Sequence, residues 1–413
     1  MPRNLKAVIM GLSFIAIIFI GFFPSQVIRA EENYWPGTSW ASTTPEAQNL
    51  DSDYLEDMYD FILTNEIYIQ SVLIVRNGYI VNEEYLYNSA RIPGKEYFDP
   101  IDPYDQIRNN KTHAIWSCTK SVTSLLTGIA ISEGFISNIN EKFFDIFPDK
   151  WKPIYGDENK KNITIEHLLT LTAGLEWDEV TDGFSIWPAA NYSLDYILNK
   201  TLVFEPGSTF EYSTGHVELL ATIIQNKTGM LLSEFAQQYL FEPIGINNTQ
   251  WEWDESAWEW GSGAVQNISH GGFGIFLTPQ ASARLGMLCL NNGTWNGTQI
   301  VPASFVTAAT SAQVTEGLLT TDTEYGYLIW LYDNCYAFVG LFGQKIFIVP
   351  EYDIVVVFNS YLEALIEYQL KYLLDTYILA AILPPKGIPG FNLFLLLGII
   401  SVIMMLMAKK QRI

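Results

Sequence analysis

In the stretch IWSCTKSV, residues 115–122, Ser117 and Lys120 stand three positions apart at the head of an apolar helical run. A serine hydroxyl is a weak nucleophile until a neighbour takes its proton, and i, i+3 spacing on a helix puts both side chains on one face. Lys120 can be that neighbour only if burial lowers its pKa, because desolvation disfavours the ammonium form. A helix beginning at Ser117 also supplies unpaired N–H groups and the positive end of its dipole where an oxyanion would form. A Ser-x-x-Lys match arises by chance about once or twice in a chain of this size, so other segments must agree with it. In FEPGSTFEYSTGHVELL, Tyr212, Ser213 and Thr214 fall in a turn after Pro206-Gly207 and before a helix, where the Tyr212 phenol could face a cleft as a second base. In AFVGLFGQKIFIVP, Gly340 and Gly343 mark a strand start where backbone can approach an acyl group closely.

These residues must be held by elements from distant parts of the chain. IYIQSVLIVRNGYIVNEEYLY reads as two β-rich runs turning at Asn77-Gly78. From Ser117, Val122, Leu125, Leu126 and Ile129 recur at helical spacing until Gly134. IEHLLTLT, VELLATIIQNKTG and LSEFAQQYLF are further helical patterns. QKIFIVP and DIVVVFNS are β-rich around Pro350–Asp353, and LEALIEYQLKYLLDTYILAAIL closes the body as an amphipathic helix. The pattern predicts an α+β architecture: one sheet built from both ends of the body, flanked by helices, with an all-helical lobe inserted in the middle. Residues 31–66 lack clear periodicity and read as an extension wrapping the surface.

The chain has 413 residues, enough for a large core, and a net charge of −22, which repels phosphate backbones and argues against nucleic acid as a partner. Cys118, Cys289 and Cys335 are far apart and fit neither a disulfide framework nor a zinc site. His113, His167, His216 and His270 lack metal-ligand spacing and read as structural. Cys118 points about 100 degrees away from Ser117 on a helix and reads as packing. No G-x-S-x-G occurs, which disfavours a nucleophile elbow. WEWDESAWEWGSG reads as a loop whose Trp251, Trp253, Trp258 and Trp260 line a cleft.

The ends speak to location. Arg3 and Lys6 precede an apolar run, Ala7 to Phe23, and then Ala30: the layout of a signal peptide over residues 1–30, with an uncleaved anchor as the alternative. After a linker at 384–390, residues 391–408 are apolar enough to cross a bilayer, and the basic tail at 409–413 predicts a cytoplasmic end with the body outside. Pro389-Gly390-Phe391 resembles an archaeal C-terminal sorting signal. N-x-S/T triplets start at Asn110, Asn162, Asn191, Asn199, Asn226, Asn247, Asn267, Asn292 and Asn296, consistent with extracellular glycosylation.

Five blocks in order carry a resemblance: IWSCTKS, ITIEHLLTLTAGLEWDE, FEPGSTFEYSTGHVELLATII, GFGIFLTPQASARLGMLCLNNGTWNGTQIV and YAFVGLFGQKIFIVPEYDIVVVF. Over residues 67–383 the chain resembles the serine β-lactamase-related hydrolases, a group including class C β-lactamases, DD-peptidases, esterases and 6-aminohexanoate-oligomer hydrolases. The resemblance implies the β-lactamase/transpeptidase-like fold and an acyl-enzyme mechanism with no metal or organic cofactor. Ser117 would be the nucleophile, Lys120 its proton partner and Tyr212 the general base that later protonates the leaving group. The N–H groups of Ser117 and Leu341 would form the oxyanion hole, with Gly340, Gly343 and Thr214 in the substrate-binding set. Thr214 stands where Asn is commoner, which removes an amide donor. Phe338-Val339-Gly340 stands where many members have Lys-Thr-Gly or His-x-Gly, so a penicillin carboxylate lacks its usual cation there. The expectation is an extracytoplasmic, membrane-anchored hydrolase of an ester or amide, on a small-molecule, peptide or oligomer substrate. The alternatives are a catalytically silent surface binder of the same fold, or a true β-lactamase or DD-peptidase.

Overall fold

Asn77 and Gly78 both take positive φ, 49° and 83°, so the pair forms the tight turn its residue types favour. It joins strands β1 (Ile69–Arg76) and β2 (Tyr79–Tyr85) as an antiparallel hairpin. In the computed structural model, residues 34–86, 112–183, 194–260, 264–315, 323–362 and 368–383 are described. The remaining strands of the main sheet come late in the chain: β3 (Glu324–Tyr325), β4 (Trp330–Tyr332), β5 (Cys335–Gly340), β6 (Gln344–Val349) and β7 (Ile354–Ser360). Their order across the sheet is β3-β4-β5-β6-β7-β1-β2, every neighbour antiparallel. The first hairpin thus docks on the last strand, with Leu73 opposite Val357 and Val75 opposite Val355. The expected sheet built from both ends is present.

Strand periodicity sorts the side chains into two cores. Leu73, Val75, Val355 and Val357 face the helical segment, while Val72, Ile74, Ile354, Val356 and Phe358 face the opposite side. Covering both faces explains the unbroken apolar runs Val72–Val75 in β1 and Ile354–Phe358 in β7. The second core is closed by the C-terminal helical turns of residues 368–379, through Leu370, Leu373, Leu374 and Ile378, and by helix α1 (Ser52–Thr64). Helix α1 corrects the expectation of a surface wrap: Leu55, Met58, Tyr59 and Ile62 recur at i, i+3, i+4, i+7 and are all buried. Acidic residues among them hide the stripe from a composition-based reading, although Asp51 caps the helix by accepting from Asp53 N.

Helix α2 (Cys118–Ser132) runs through the middle of the molecule, buried all round from Cys118 to Ala130. Its hydroxyls are bonded inside the protein: Ser121 Oγ to Leu328 O at 2.6 Å, Thr123 Oγ1 to Gly271 O at 2.7 Å and Thr127 Oγ1 to Thr123 O at 2.9 Å. Helix α4 (Thr214–Thr228) packs on α2 and on α3 (Ile165–Leu169), both matching predicted helical patterns, while α5 (Pro279–Leu290), a helix not predicted as such, packs on the main sheet. LSEFAQQYLF is helical too, as an α-turn at Leu232–Ala236 continuing into a wider turn at Gln237–Phe241.

The inserted segment is not purely helical. It carries a three-stranded sheet of His113–Ala114, Ile275–Leu277 and Trp251–Trp253, and hairpins at Glu255–Trp260 with Ala264–Ser269 and at Thr294–Trp295 with Thr298–Gln299. WEWDESAWEW is therefore β-structure rather than a loop, in keeping with the strand preference of tryptophan. Trp253 is buried, donating Nε1–H to His270 O at 2.8 Å, and half-buried Trp251 packs on Phe241. The side chains of Trp258 and Trp260 lie outside the described residues, as do Asn110, Asn191 and both terminal apolar segments. Among the described residues no helix is long and apolar enough to cross a membrane.

Candidate active site

The turn before α2 is the most constrained backbone near Ser117. Trp116 has φ 48°, a left-handed conformation that is uncommon for a bulky residue and costs on the order of 1–3 kcal/mol. Its ring meets Phe342 edge-on at 5.6 Å. Ser117 itself is half-buried at the N-cap and makes no side-chain cap. Among the described residues, neither the Ser117 nor the Leu341 amide donates to a backbone carbonyl. The end of β5 presses on this turn. A Cβ on Gly340 would fall 2.2 Å from Ile115 O, so only glycine lets the strand approach so closely. The glycines mark the end of β5 and the turn after it, rather than a strand start. A Cβ on Gly343, whose φ is 81°, would fall 2.4 Å from Ser360 Oγ and within 3.2 Å of Leu362 and Leu370.

Lys120 is 1% exposed, and its amine is surrounded by fixed partners. Nζ lies 3.0 Å from Ser117 Oγ, 2.8 Å from Thr214 Oγ1 and 2.9 Å from Gly272 O. The Tyr212 ring also faces it, with the centroid 5.0 Å from Nζ, and stacks on Trp330. Burial pushes the Lys120 ammonium below its usual range, against the pull of the Glu179 and Glu218 carboxylates. The serine, the lysine, the tyrosine and Thr214 are thus brought together as the sequence suggested. The residue expected only to alter substrate grip, Thr214, instead holds the lysine.

Three residues that the sequence reading did not single out complete the surroundings. Glu179, on the turn Glu179–Gly183, accepts from Thr214 Oγ1, from Thr214 N at 2.9 Å and from Trp177 Nε1 at 2.7 Å. That turn is tied down by Asp182, which accepts from Tyr196 and from Lys200 Nζ at 2.6 Å. Glu218, fully buried on α4, accepts from Gly272 N at 3.0 Å and Gly271 N at 3.2 Å, which aims Gly272 O at Lys120. A Cβ on Gly272 would sit 2.7 Å from Thr214 Cγ2, so this approach also requires glycine. Glu218 lies four positions after Thr214, on the same helix face. A lone acid in the apolar run VELLATII was the one available clue.

Cys118 is packed as expected, with Sγ 3.5 Å from Gln344 O. Of the histidines, His270 stacks on Phe273 with Nδ1 3.6 Å from Glu218 Oε2. His113 and His216 are fully buried, and His167 closes a capping box with Thr164.

A family model described as Beta-lactamase matches residues 70–364. The chain belongs to the beta-lactamase family. Its members are serine hydrolases, and the family match spans both sheet halves together with Ser117, Lys120 and Tyr212. Among curated proteins, this beta-lactamase-family chain is 29% identical over 222 residues to Protein flp of Staphylococcus aureus, covering 51% of the chain and 41% of that protein. The chain therefore spans 41% of the length of that protein and 34% of the forms from other strains that it matches. EstCE1, described as a hydrolase with promiscuous acyltransferase activity, superposes with TM-score 0.60 at 15% identity, covering 82% of this chain and 100% of that one. The octameric penicillin-binding protein homologue from Pyrococcus abyssi superposes with TM-score 0.57 at 16% identity, covering 82% of this chain and 79% of that one. At these identities the likeness establishes the β-lactamase/transpeptidase-like fold.

Proposed function

We propose that this chain is an extracytoplasmic serine hydrolase that cleaves an ester or amide through an acyl-enzyme on Ser117. The observation that carries the reading is a buried amine 3.0 Å from a half-buried serine hydroxyl at the N-terminus of a central helix. Desolvation favours the neutral amine, which can take the Ser117 proton as Oγ attacks the carbonyl carbon. The developing oxyanion is received by the Ser117 and Leu341 N–H groups, helped by the dipole of α2. Tyr212, held against Lys120, passes the proton to the leaving group, and water then attacks the acyl carbon to regenerate Ser117.

The substrate reading rests on β5. Phe338 is wholly buried in the core and Val339 is apolar, so this strand offers no cation to a substrate carboxylate. A carboxylate left unpaired there would be rejected, and a net charge of −22 draws no anions. Neutral esters, amides and short oligomers are favoured over penicillins and cephalosporins. Residues 1–30 and 391–408 support export and anchoring, with the catalytic body outside the cell.

The test is fluorophosphonate labelling and p-nitrophenyl ester hydrolysis by the full-length chain, beside a chromogenic cephalosporin. Wild type should label and hydrolyse the ester, Ser117→Ala should do neither, and the cephalosporin should turn over poorly. A wild type that stays unlabelled and inert while still binding peptide or polymer would make the chain a silent binder.

A further inference from the structure

The hydrogen bonds around Lys120 have directions that can be read from donor chemistry alone. Trp177 Nε1–H and Thr214 N–H can only donate, and both end on Glu179 Oε2, at 2.7 and 2.9 Å. Glu179 Oε1 faces the Thr214 hydroxyl, and a carboxylate only accepts, so the hydroxyl hydrogen points at Glu179. Thr214 Oγ1 is then left with lone pairs toward Lys120 Nζ, 2.8 Å away, and must accept from it. Gly272 O, at 2.9 Å, is also a pure acceptor, and Glu218 holds it in place through the Gly271 and Gly272 amides. A neutral amine has two hydrogens and one lone pair. With both hydrogens committed to Thr214 and Gly272, the lone pair is left for the third neighbour, Ser117 Oγ at 3.0 Å.

We infer that Glu179 is a positioning residue: it fixes the polarity of the Thr214 hydroxyl and thereby keeps the Lys120 lone pair on Ser117. The inference rests on the reading of Ser117 and Lys120 as nucleophile and base. It makes a particular claim about Glu179→Gln, which is nearly isosteric. The two obligate donors claim the amide oxygen, so the NH2 group turns toward Thr214. The Thr214 hydroxyl then accepts from the amide and donates to Nζ. Its hydrogen occupies the lone pair that Ser117 needs, and the amine is left to donate to Ser117 instead.

The experiment measures p-nitrophenyl ester hydrolysis and the second-order rate of fluorophosphonate labelling across pH 6–10, using full-length chains. The variants are Glu179→Gln, Thr214→Ser, Thr214→Val, the Glu179→Gln/Thr214→Val double variant and Ser117→Ala, each with a thermal midpoint. Glu179→Gln should lower the plateau of both rates about a hundredfold, the low end for loss of a positioned base. It should also move the rising limb to lower pH, since a negative charge near Lys120 is removed and a donor placed on its lone pair. A merely structural defect would lower the plateau and leave the limb in place. Thr214→Ser, which keeps the hydroxyl, should retain a higher plateau than Thr214→Val, and Glu179→Gln should not lower the plateau further on the Thr214→Val background. Superposable profiles for Glu179→Gln and wild type, with Ser117→Ala dead, would overturn this inference alone. An inert, unlabelled wild type would overturn the reading beneath it. If Glu179→Gln fails to fold, the threonine pair decides: a Thr214→Val plateau well below that of Thr214→Ser supports the inference, and equal plateaus refute it.

Discussion

Lys120 shows how much chemistry one buried side chain can concentrate. Because burial holds its ammonium below the usual range, the base form is reached at lower pH than for a solvated lysine. The sign follows: ester hydrolysis should rise with pH through this depressed pKa and fall away on acidification, with its midpoint below the ordinary 10.5. Lys120→Ala should lower kcat by about a hundred- to ten-thousand-fold. Lys120→Arg should do no better, since a guanidinium keeps its proton. Gly340 is another residue whose identity is forced. Gly340→Ala would drive a methyl group into Ile115 O and displace the Leu341 amide. Losing one oxyanion donor should lower kcat by about a hundred- to a thousandfold, with a smaller change in KM. Steady-state kinetics on folded variants check both.

Among the elements, the ones that could be read from sequence were those whose geometry is local. Ser117 and Lys120 share one helix, so their spacing already fixed their distance; the Asn77-Gly78 hairpin was legible because its turn depends on two residue types. Tyr212 and Gly340 stood out as a turn tyrosine and a strand glycine, and the recognisable blocks around them gave each a role. Glu179 escaped for a physical reason: it reaches Thr214 through a loop 35 residues upstream, in a chain with 45 acidic residues, so nothing local distinguishes it. Helix α1 escaped although its apolar stripe is regular, because polar neighbours dilute it. Its packing makes a firm expectation. Leu55→Ala or Met58→Ala should destabilise the fold by about 2–5 kcal/mol, readable by denaturant unfolding. Exposed Tyr54→Ala on the same helix should shift it by under about 0.5 kcal/mol.

At the level of the whole molecule, stability is tied to pH through two histidines buried away from water. Burial lowers His113 to about 3 and His216 to about 4. Between those values and 6.5 the unfolded chain binds more protons than the native one, so their contribution is complete above pH 6.5 and drains away on acidification. The thermal midpoint should fall between pH 7 and pH 4, and His113→Gln with His216→Gln should flatten that slope. The docking of β1 between β2 and β7 sets the order of events during synthesis. The hairpin leaves the ribosome early with one apolar edge open, and its partner at residues 354–360 is made almost three hundred residues later. Until that strand arrives the central ladder cannot close and neither core is sealed. A nascent chain kept open for so long cannot hold the end of β5 against the turn at Ile115, so Ser117 meets its full surroundings only after the last strand has been made.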